Sequence, residues 1–345
     1  MVKKINWGII GLGNIATHFA KAAKLTDNAY LKGISSKNQN KILSFKKLFG
    51  IKTEYCFNNY DDLINCNDID AIYIALPNSM HYEYILKCIE AKKKILVEKP
   101  ATKNFLEIKS IKEKYNKKDF FYVEGFMYLH HPQISQIFSM LQKKLIGNLI
   151  SINSKFGRNI LTKKNFLGIE TQKKQNINNR LFNESLGGGV ILDLGCYTSS
   201  FCVSIASLYL DLDINKITVK SEGKKIGSTG VEVDAAASIN FDNKINAEIE
   251  ASFIRDIGSE SIIVGEKGKI VIEDTWHGSS SIRLIQDDKM EKIYNNAKNN
   301  SYYYQIKNIS DNILKKMTTP QQPVMDFEKS YINMSILEKW KKYEK

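Results

Sequence analysis

The run Gly11-Leu12-Gly13-Asn14-Ile15-Ala16 constrains this chain more than any other feature, because of where it falls. It follows an apolar, strand-like stretch at 5–10 and precedes a helical pattern at 14–25. In that setting a G-x-G-x-x-A turn has a mechanical meaning. The first glycine permits a tight turn, the second lets the backbone approach a pyrophosphate, and the small Ala16 lets helix pack closely on strand. The helix N-terminus, at Asn14 and Ile15, presents free N–H groups and a positive dipole end to phosphates. The expected ligand is a dinucleotide, with Gly11, Gly13, Asn14 and Ile15 as its cradle.

The alternation continues beyond the turn. Strand signals at 5–10, 30–35, 52–56, 70–76, 94–98 and 120–124 are separated by helical patterns at 14–25, 37–49, 60–65, 80–91 and 105–115. Six strands with helices between them predict a complete doubly wound parallel sheet of the Rossmann type. After a helix at 133–144 the character changes, to strands of mixed polarity at 150–156, 217–221, 235–241, 245–253, 261–264 and 269–273. Short turns between them predict an open, mostly antiparallel sheet, interrupted by a helix at 192–208. The polar stretch 161–183 reads as a long loop. The predicted fold is therefore α/β, with a Rossmann domain at 1–124 and an α+β substrate-binding and oligomerisation domain at 125–345. An amphipathic helix at about 326–343 is expected to pack back on the first domain. A chain of 345 residues is long enough for two such cores.

Composition excludes several alternatives. The net charge is +13, but only four of the 50 basic residues are arginines, and the lysines are spread along the chain. Base reading favours arginine forks, so a solvated lysine surface is expected and no nucleic-acid partner. No apolar run reaches the roughly 20 residues of a membrane span, so no membrane partner is expected either. The cysteines Cys56, Cys66, Cys88, Cys196 and Cys202 form no C-x-x-C pair, and no signal peptide precedes them. Reduced thiols in a cytoplasmic protein are expected. The histidines are scattered, and no metal site is expected.

Two further clusters carry chemistry. At the end of the second strand, Ser35-Ser36-Lys37-Asn38 stands where NAD enzymes place a carboxylate for the ribose 2′-hydroxyl. A hydroxyl at Ser36 and an ammonium at Lys37 suit a 2′-phosphate, which favours NADP over NAD. The fourth strand runs into Leu76-Pro77-Asn78 and His81, and the fifth into Glu98-Lys99-Pro100. Both lie at carboxyl ends of strands, where doubly wound sheets bind ligands. A lysine at such a buried end needs partners, which marks Lys99 as functional. Farther on, Gly187-Gly188-Gly189 precedes Asp193 and Tyr197, two residues that would share one face of a helix. Taken alone, this last pattern equally fits a glycine loop capping a helix with a packed tyrosine.

Together, the GxGxxA turn at 11–16, the PNxxH-like segment at 77–81, the EKP at 98–100 and the GGGxxxDxGxY at 187–197 resemble one known family. It is the glucose-fructose oxidoreductase, inositol dehydrogenase and rhizopine-catabolism (Gfo/Idh/MocA) family, and the chain looks most like its NADP-dependent dihydrodiol and D-xylose dehydrogenase branch. The resemblance implies hydride transfer between nicotinamide and a carbon bearing hydroxyl or carbonyl on a sugar, nucleotide-linked sugar or related polyol. It implies that Lys99 lies between nicotinamide and substrate. Tyr197 would be the general acid/base, its phenol made more acidic by that ammonium, and Asp193 would orient the substrate or the lysine. It further implies a homodimer or homotetramer through the second-domain sheet. Sugar-responsive regulators share the fold without turnover, but they need not keep Lys99, Asp193 and Tyr197, all present here. One departure stands out: Leu129 occupies the place of an arginine usual in that branch.

Overall fold

The computed structural model describes residues 3–164 and 170–342. They form two compact units, the first running to His131 and regaining Lys298–Glu328, the second made of Pro132–Ala297 and the chain from Lys329 onward.

In the first unit six parallel strands, β1 (Ile5–Ile10), β2 (Ala29–Ser35), β3 (Cys56–Phe57), β4 (Ala71–Ile74), β5 (Lys94–Val97) and β6 (Tyr122–Glu124), lie in the order β3-β2-β1-β4-β5-β6. Helices α1 (Asn14–Ala23), α2 (Gln39–Phe49), α3 (Tyr60–Ile64), α4 (His81–Glu90) and α5 (Phe105–Lys114) connect them. This is the predicted doubly wound sheet. Its order reverses between β1 and β4, the switch point at which such sheets open a crevice for ligands. All of β4 is buried, as expected of a strand covered on both faces. Beneath the switch point Phe19 stacks on Tyr73 at 4.3 Å and meets Trp7 edge-on at 5.4 Å. A helix the sequence did not announce, Ser301–Leu314, returns to this unit, where Trp7 Nε1 donates to Ser310 Oγ at 3.0 Å.

The second unit is built on an eight-stranded sheet. Its strands are β7 (Leu149–Gly157), β10 (Ile217–Ile226), β11 (Glu232–Phe241), β12 (Ile245–Ser252), β13 (Ser261–Gly265), β14 (Gly268–Ile272), β15 (Ser281–Gln286) and β16 (Lys289–Tyr294). They lie in the order β10-β11-β12-β7-β13-β14-β15-β16, antiparallel throughout except for the β12–β7 pair. Within the expected 161–183 loop, β8 (Thr162–Lys164) and β9 (Glu170–Gln172) pair as a separate two-stranded ladder. Helix α6 (Pro132–Gln142) opens the unit, and α7 (Cys196–Ala206), preceded by a π-helical turn Ile191–Gly195, packs against β7 and β12. The run Glu184–Ala206 is, contrary to expectation, long and apolar enough to cross a membrane by composition. Yet 89% of its apolar window is buried within the protein, the signature of a core helix.

The terminal helix forms as Phe327–Lys341; its first two residues belong to the first unit, where Phe327 meets Phe120 edge-on at 5.2 Å and Glu328 pairs with Lys112 at 2.7 Å, and from Lys329 onward it belongs to the second. There Asn333 Oδ1 accepts from Ser199 Oγ at 2.6 Å, and Lys339 Nζ donates to Ile214 O and Ile217 O at 2.7 Å each. Trp340 donates to Ala236 O at 3.2 Å. The reason is steric fit, because a β-carbon at Gly195 would come within 2.6 Å of the Trp340 ring. The first unit also extends past residue 124, where Glu124 N–H donates to Met325 O at 2.9 Å.

Candidate functional site

The glycine turn has the geometry its sequence asks for. Gly11 sits at φ +90, and a β-carbon there would lie 2.6 Å from Ala75 O, so only glycine fits. A β-carbon on Gly13 would meet nothing within 4 Å, which leaves open space over the turn. Gly13 is also the N-cap of α1, and no side chain caps the helix there. The first N–H groups of α1, at Asn14 and Ile15, are thus left for an external acceptor, and a pyrophosphate meets that requirement.

At the end of β2, Ser36 is buried and its Oγ accepts from Asn38 N–H at 3.1 Å. Asn38 Oδ1 in turn caps α2 by accepting from Lys41 N–H at 3.2 Å. Lys37 is exposed, its ammonium 5.9 Å from the Tyr60 ring centroid, and it makes no ion pair among the described residues. The place where an NAD enzyme carries its carboxylate therefore holds a hydroxyl and a free cation.

The Glu98-Lys99-Pro100 segment is clamped from several sides. Glu98 N–H donates to Ile74 O at 3.0 Å, and the Tyr73 hydroxyl donates to the Glu98 carboxylate, which also accepts from Lys99 N–H at 3.3 Å. Ala101 N–H donates to Glu124 Oε1 at 2.7 Å. His81, fully buried, places Nδ1 2.9 Å from Pro100 O and Nε2 2.9 Å from Leu76 O. It ties the loop after β4, with Leu76, Pro77 and Asn78, to the one after β5. Both ring nitrogens and both Glu98 carboxylate oxygens thus have protein partners. Across 95–101 every residue is buried except Lys99. Neither Tyr73 nor Glu124 was anticipated; a carboxylate closing a buried strand is the signal that points to Glu124.

In the second unit the glycines of 187–195 serve the fold first. A β-carbon at Gly188 would lie 2.7 Å from Arg180 O, and one at Gly189, at φ +107, 2.5 Å from Glu232 Oε2. These close approaches are to protein atoms, where the sequence suggested a ligand. Asp193 lies in the π-helical turn, and both Arg180 guanidinium nitrogens stand 3.4 Å from its Oδ1. Tyr197 begins α7 in an aromatic cluster, edge-on to Phe156 at 5.5 Å and to Trp276 at 5.7 Å. Phe156 and Trp276 stack on each other at 5.5 Å. Sequence reasoning missed Phe156, Trp276 and Arg180, which come from β7, from the turn after β14 and from a polar loop. Leu129 is fully buried in the turn Met127–His130, beside the buried His130 and His131.

Comparison with known proteins agrees with this architecture. Residues 5–126 match the sequence model of the GFO/IDH/MocA oxidoreductase family, described as an NAD-binding Rossmann fold, and residues 134–271 match the C-terminal domain of the same family. Trans-1,2-dihydrobenzene-1,2-diol dehydrogenase of Xenopus tropicalis is 25% identical over 340 residues, 96% of this chain and 96% of that protein. A dTDP-3,4-didehydro-2,6-dideoxy-alpha-D-glucose 3-reductase of Actinomadura kijaniata is 28% identical over 61% of this chain and 57% of its own. Among solved structures, aldose-aldose oxidoreductase from Caulobacter crescentus, complexed with glycerol, superposes with a TM-score of 0.82 at 17% identity, covering 97% of this chain and 96% of that one. A 3-ketoreductase from Actinomadura kijaniata, in complex with NADP and TDP-benzene, does so at 0.77 and 20% identity, covering 97% and 96%.

Proposed function

The chain belongs to the Gfo/Idh/MocA family of oxidoreductases, and from that premise we propose that it is an NADP-dependent dehydrogenase or reductase of a sugar, a nucleotide-linked sugar or a related polyol or diol. One observation carries the reading: Lys99 is held by its neighbours' bonds to Ile74, His81 and Glu124, and it is half-buried where every other residue of 95–101 is buried. Such placement at a strand end suits a group that must meet a reacting atom within a fraction of an ångström.

The nicotinamide, when bound, accepts or supplies the hydride. Lys99 donates a hydrogen bond to the substrate oxygen, stabilising charge as the carbonyl forms or is reduced. Tyr197 takes or returns the hydroxyl proton, and Asp193 orients the substrate hydroxyl. Gly11, Gly13, Asn14 and Ile15 hold the pyrophosphate, and Ser36 and Lys37 the 2′-phosphate. Relatives that carry dihydrodiol, nucleotide-sugar and D-xylose activities in their names support the substrate class. The polar outer face of β7, β12 and β13, with Asn153, Lys155, Glu248, Glu250 and Ile262, suits a homodimer or homotetramer contact. A cytoplasmic setting fits five free thiols, of which Cys88 and Cys202 are pushed up by burial and kept unreactive.

The test is absorbance at 340 nm with a panel of aldoses, inositols and diols, each with NADP and with NAD. Wild type is expected to prefer NADP, and Lys99→Ala to lose turnover by about 1000-fold while still binding NADPH. Near-normal turnover in Lys99→Ala defeats the assignment.

A further inference from the structure

The aromatic cluster around Tyr197 has a charged rim. His277 stands edge-on to Phe156 at 6.1 Å, the same ring that meets Tyr197 at 5.5 Å. Its Nδ1 bonds Asp274 Oδ1 at 3.0 Å, which fixes the imidazole. That turn is docked on β7 by Trp276 Nε1, which donates to Lys155 O at 3.2 Å. Arg158 follows directly on β7. Gly157 bridges to Gly258 and Ser259 to Asp274, so Arg158 and the 274–277 turn share one end of the sheet.

Arg158 is also set apart from the other arginines. Arg180 pairs with Asp193, Arg255 with Asp234 and Glu250, and Arg283 with Glu273. Arg158 is exposed and has no ion-pair partner among the described residues. Asp274 raises the His277 pKa through its hydrogen bond, against burial and against the nearby Arg158 guanidinium. The Asp274 carboxylate is itself lowered, first by that same bond. An uncompensated guanidinium beside an imidazole held toward its cationic form is an arrangement that awaits an anion.

We propose that Arg158 and His277 form a subsite for an anionic substituent, so that the substrates are sugars or polyols bearing a carboxylate or a phosphate. The inference rests on the reading of Tyr197 as the proton-exchanging group. The Phe156 ring, backed by the fully buried Trp276, packs on the apolar face of the sugar, and the two cations bind the charged group beyond it. They act as specificity residues and take no part in the hydride or proton step.

The experiment compares glucose and galactose with their uronates and their 6-phosphates, using the full-length NADP-loaded protein. Turnover is measured at 340 nm and binding by calorimetric titration. The uronate or the phosphate series is expected to show the lower KM, and whichever does identifies the anion. Arg158→Ala and His277→Gln should each raise that KM about 10-fold or more, with kcat within twofold and neutral sugars unaffected. Arg158→Lys should restore part of the loss. Asp274→Asn should move the rise of KM with pH to lower pH, because the imidazole then loses its proton earlier. A purely structural role would raise KM for neutral and charged sugars alike and leave the pH profile in place. That result overturns the proposal, as does a preference for the neutral sugars or a failure to bind any anionic member. If the anions bind through Arg158 and His277 but are not oxidised with either dinucleotide, the subsite stands and the proposed reaction falls.

Discussion

The backbone on either side of Lys99 is held by buried neighbouring side chains. His81 is the clearest of them. A neutral imidazole has one N–H, yet both ring nitrogens face carbonyl oxygens at 2.9 Å, and carbonyls only accept. Both bonds form together only when the ring carries two protons. In either state the ring spans Leu76 O and Pro100 O and keeps the cofactor loop and the lysine loop in register. His81→Phe keeps a planar ring and removes its hydrogen bonding, each buried carbonyl left unsatisfied costing about 1–3 kcal/mol. The expected result is a lower melting temperature and a kcat reduced about 10-fold or more, with NADP affinity changed far less. Thermal denaturation, steady-state kinetics and nucleotide titration on one preparation check this. An unchanged kcat would show that the strut does not serve Lys99.

At the scale of elements, the π-helical turn and α7 depend on what the terminal helix presents to them. Gly195 has no room for a methyl group, since Trp340 Cζ3 lies 2.6 Å from where its β-carbon would be, and Trp340 is fully buried. Gly195→Ala is expected to cost about 1–3 kcal/mol by overpacking. Combined with Trp340→Leu, which opens the space, the two costs should fall short of their sum, because they share one contact. Denaturant unfolding of the single and double variants measures the coupling, and strict additivity would refute it. The same contact explains why the body of the terminal helix joins the second unit. Its amphipathic period is visible in the sequence, but its partner is a glycine, and a missing side chain leaves no pattern to read. Strands β1 and β4 were the most legible because they are largely apolar, buried runs closed by Gly11 and Pro77. The returning helix Ser301–Leu314 was not legible, because its Tyr302, Tyr303 and Tyr304 follow an asparagine-rich stretch that reads as loop. Charged β16, almost wholly exposed at the sheet edge, carries no alternation at all. Gly11, Gly13 and Lys99 declared themselves through motifs, whereas Tyr73 and Glu124 in the first unit, and Phe156 and Trp276 in the second, come together from positions far apart in the chain.

For the molecule as a whole, the buried His130 predicts how stability answers to acid. It lies on the turn that carries Leu129, its Nε2 has no hydrogen-bond partner, and burial pushes its pKa down to about 3. In the unfolded chain the same imidazole titrates near 6.5. Between those values the unfolded state binds a proton that the folded state refuses, so stability must fall as pH falls. The contribution is intact above about pH 6.5 and declines by about 1.4 kcal/mol per unit toward pH 3. A chain already at +13 gains further positive charge over the same range, which adds self-repulsion of the same sign. The two causes separate in one variant. His130→Leu removes the buried imidazole and leaves the surface charge as it was. Equilibrium unfolding at pH 7, 6, 5 and 4 is expected to give a distinctly shallower slope for His130→Leu than for wild type in the transition of the first unit. Parallel slopes would assign the acid sensitivity to net charge alone.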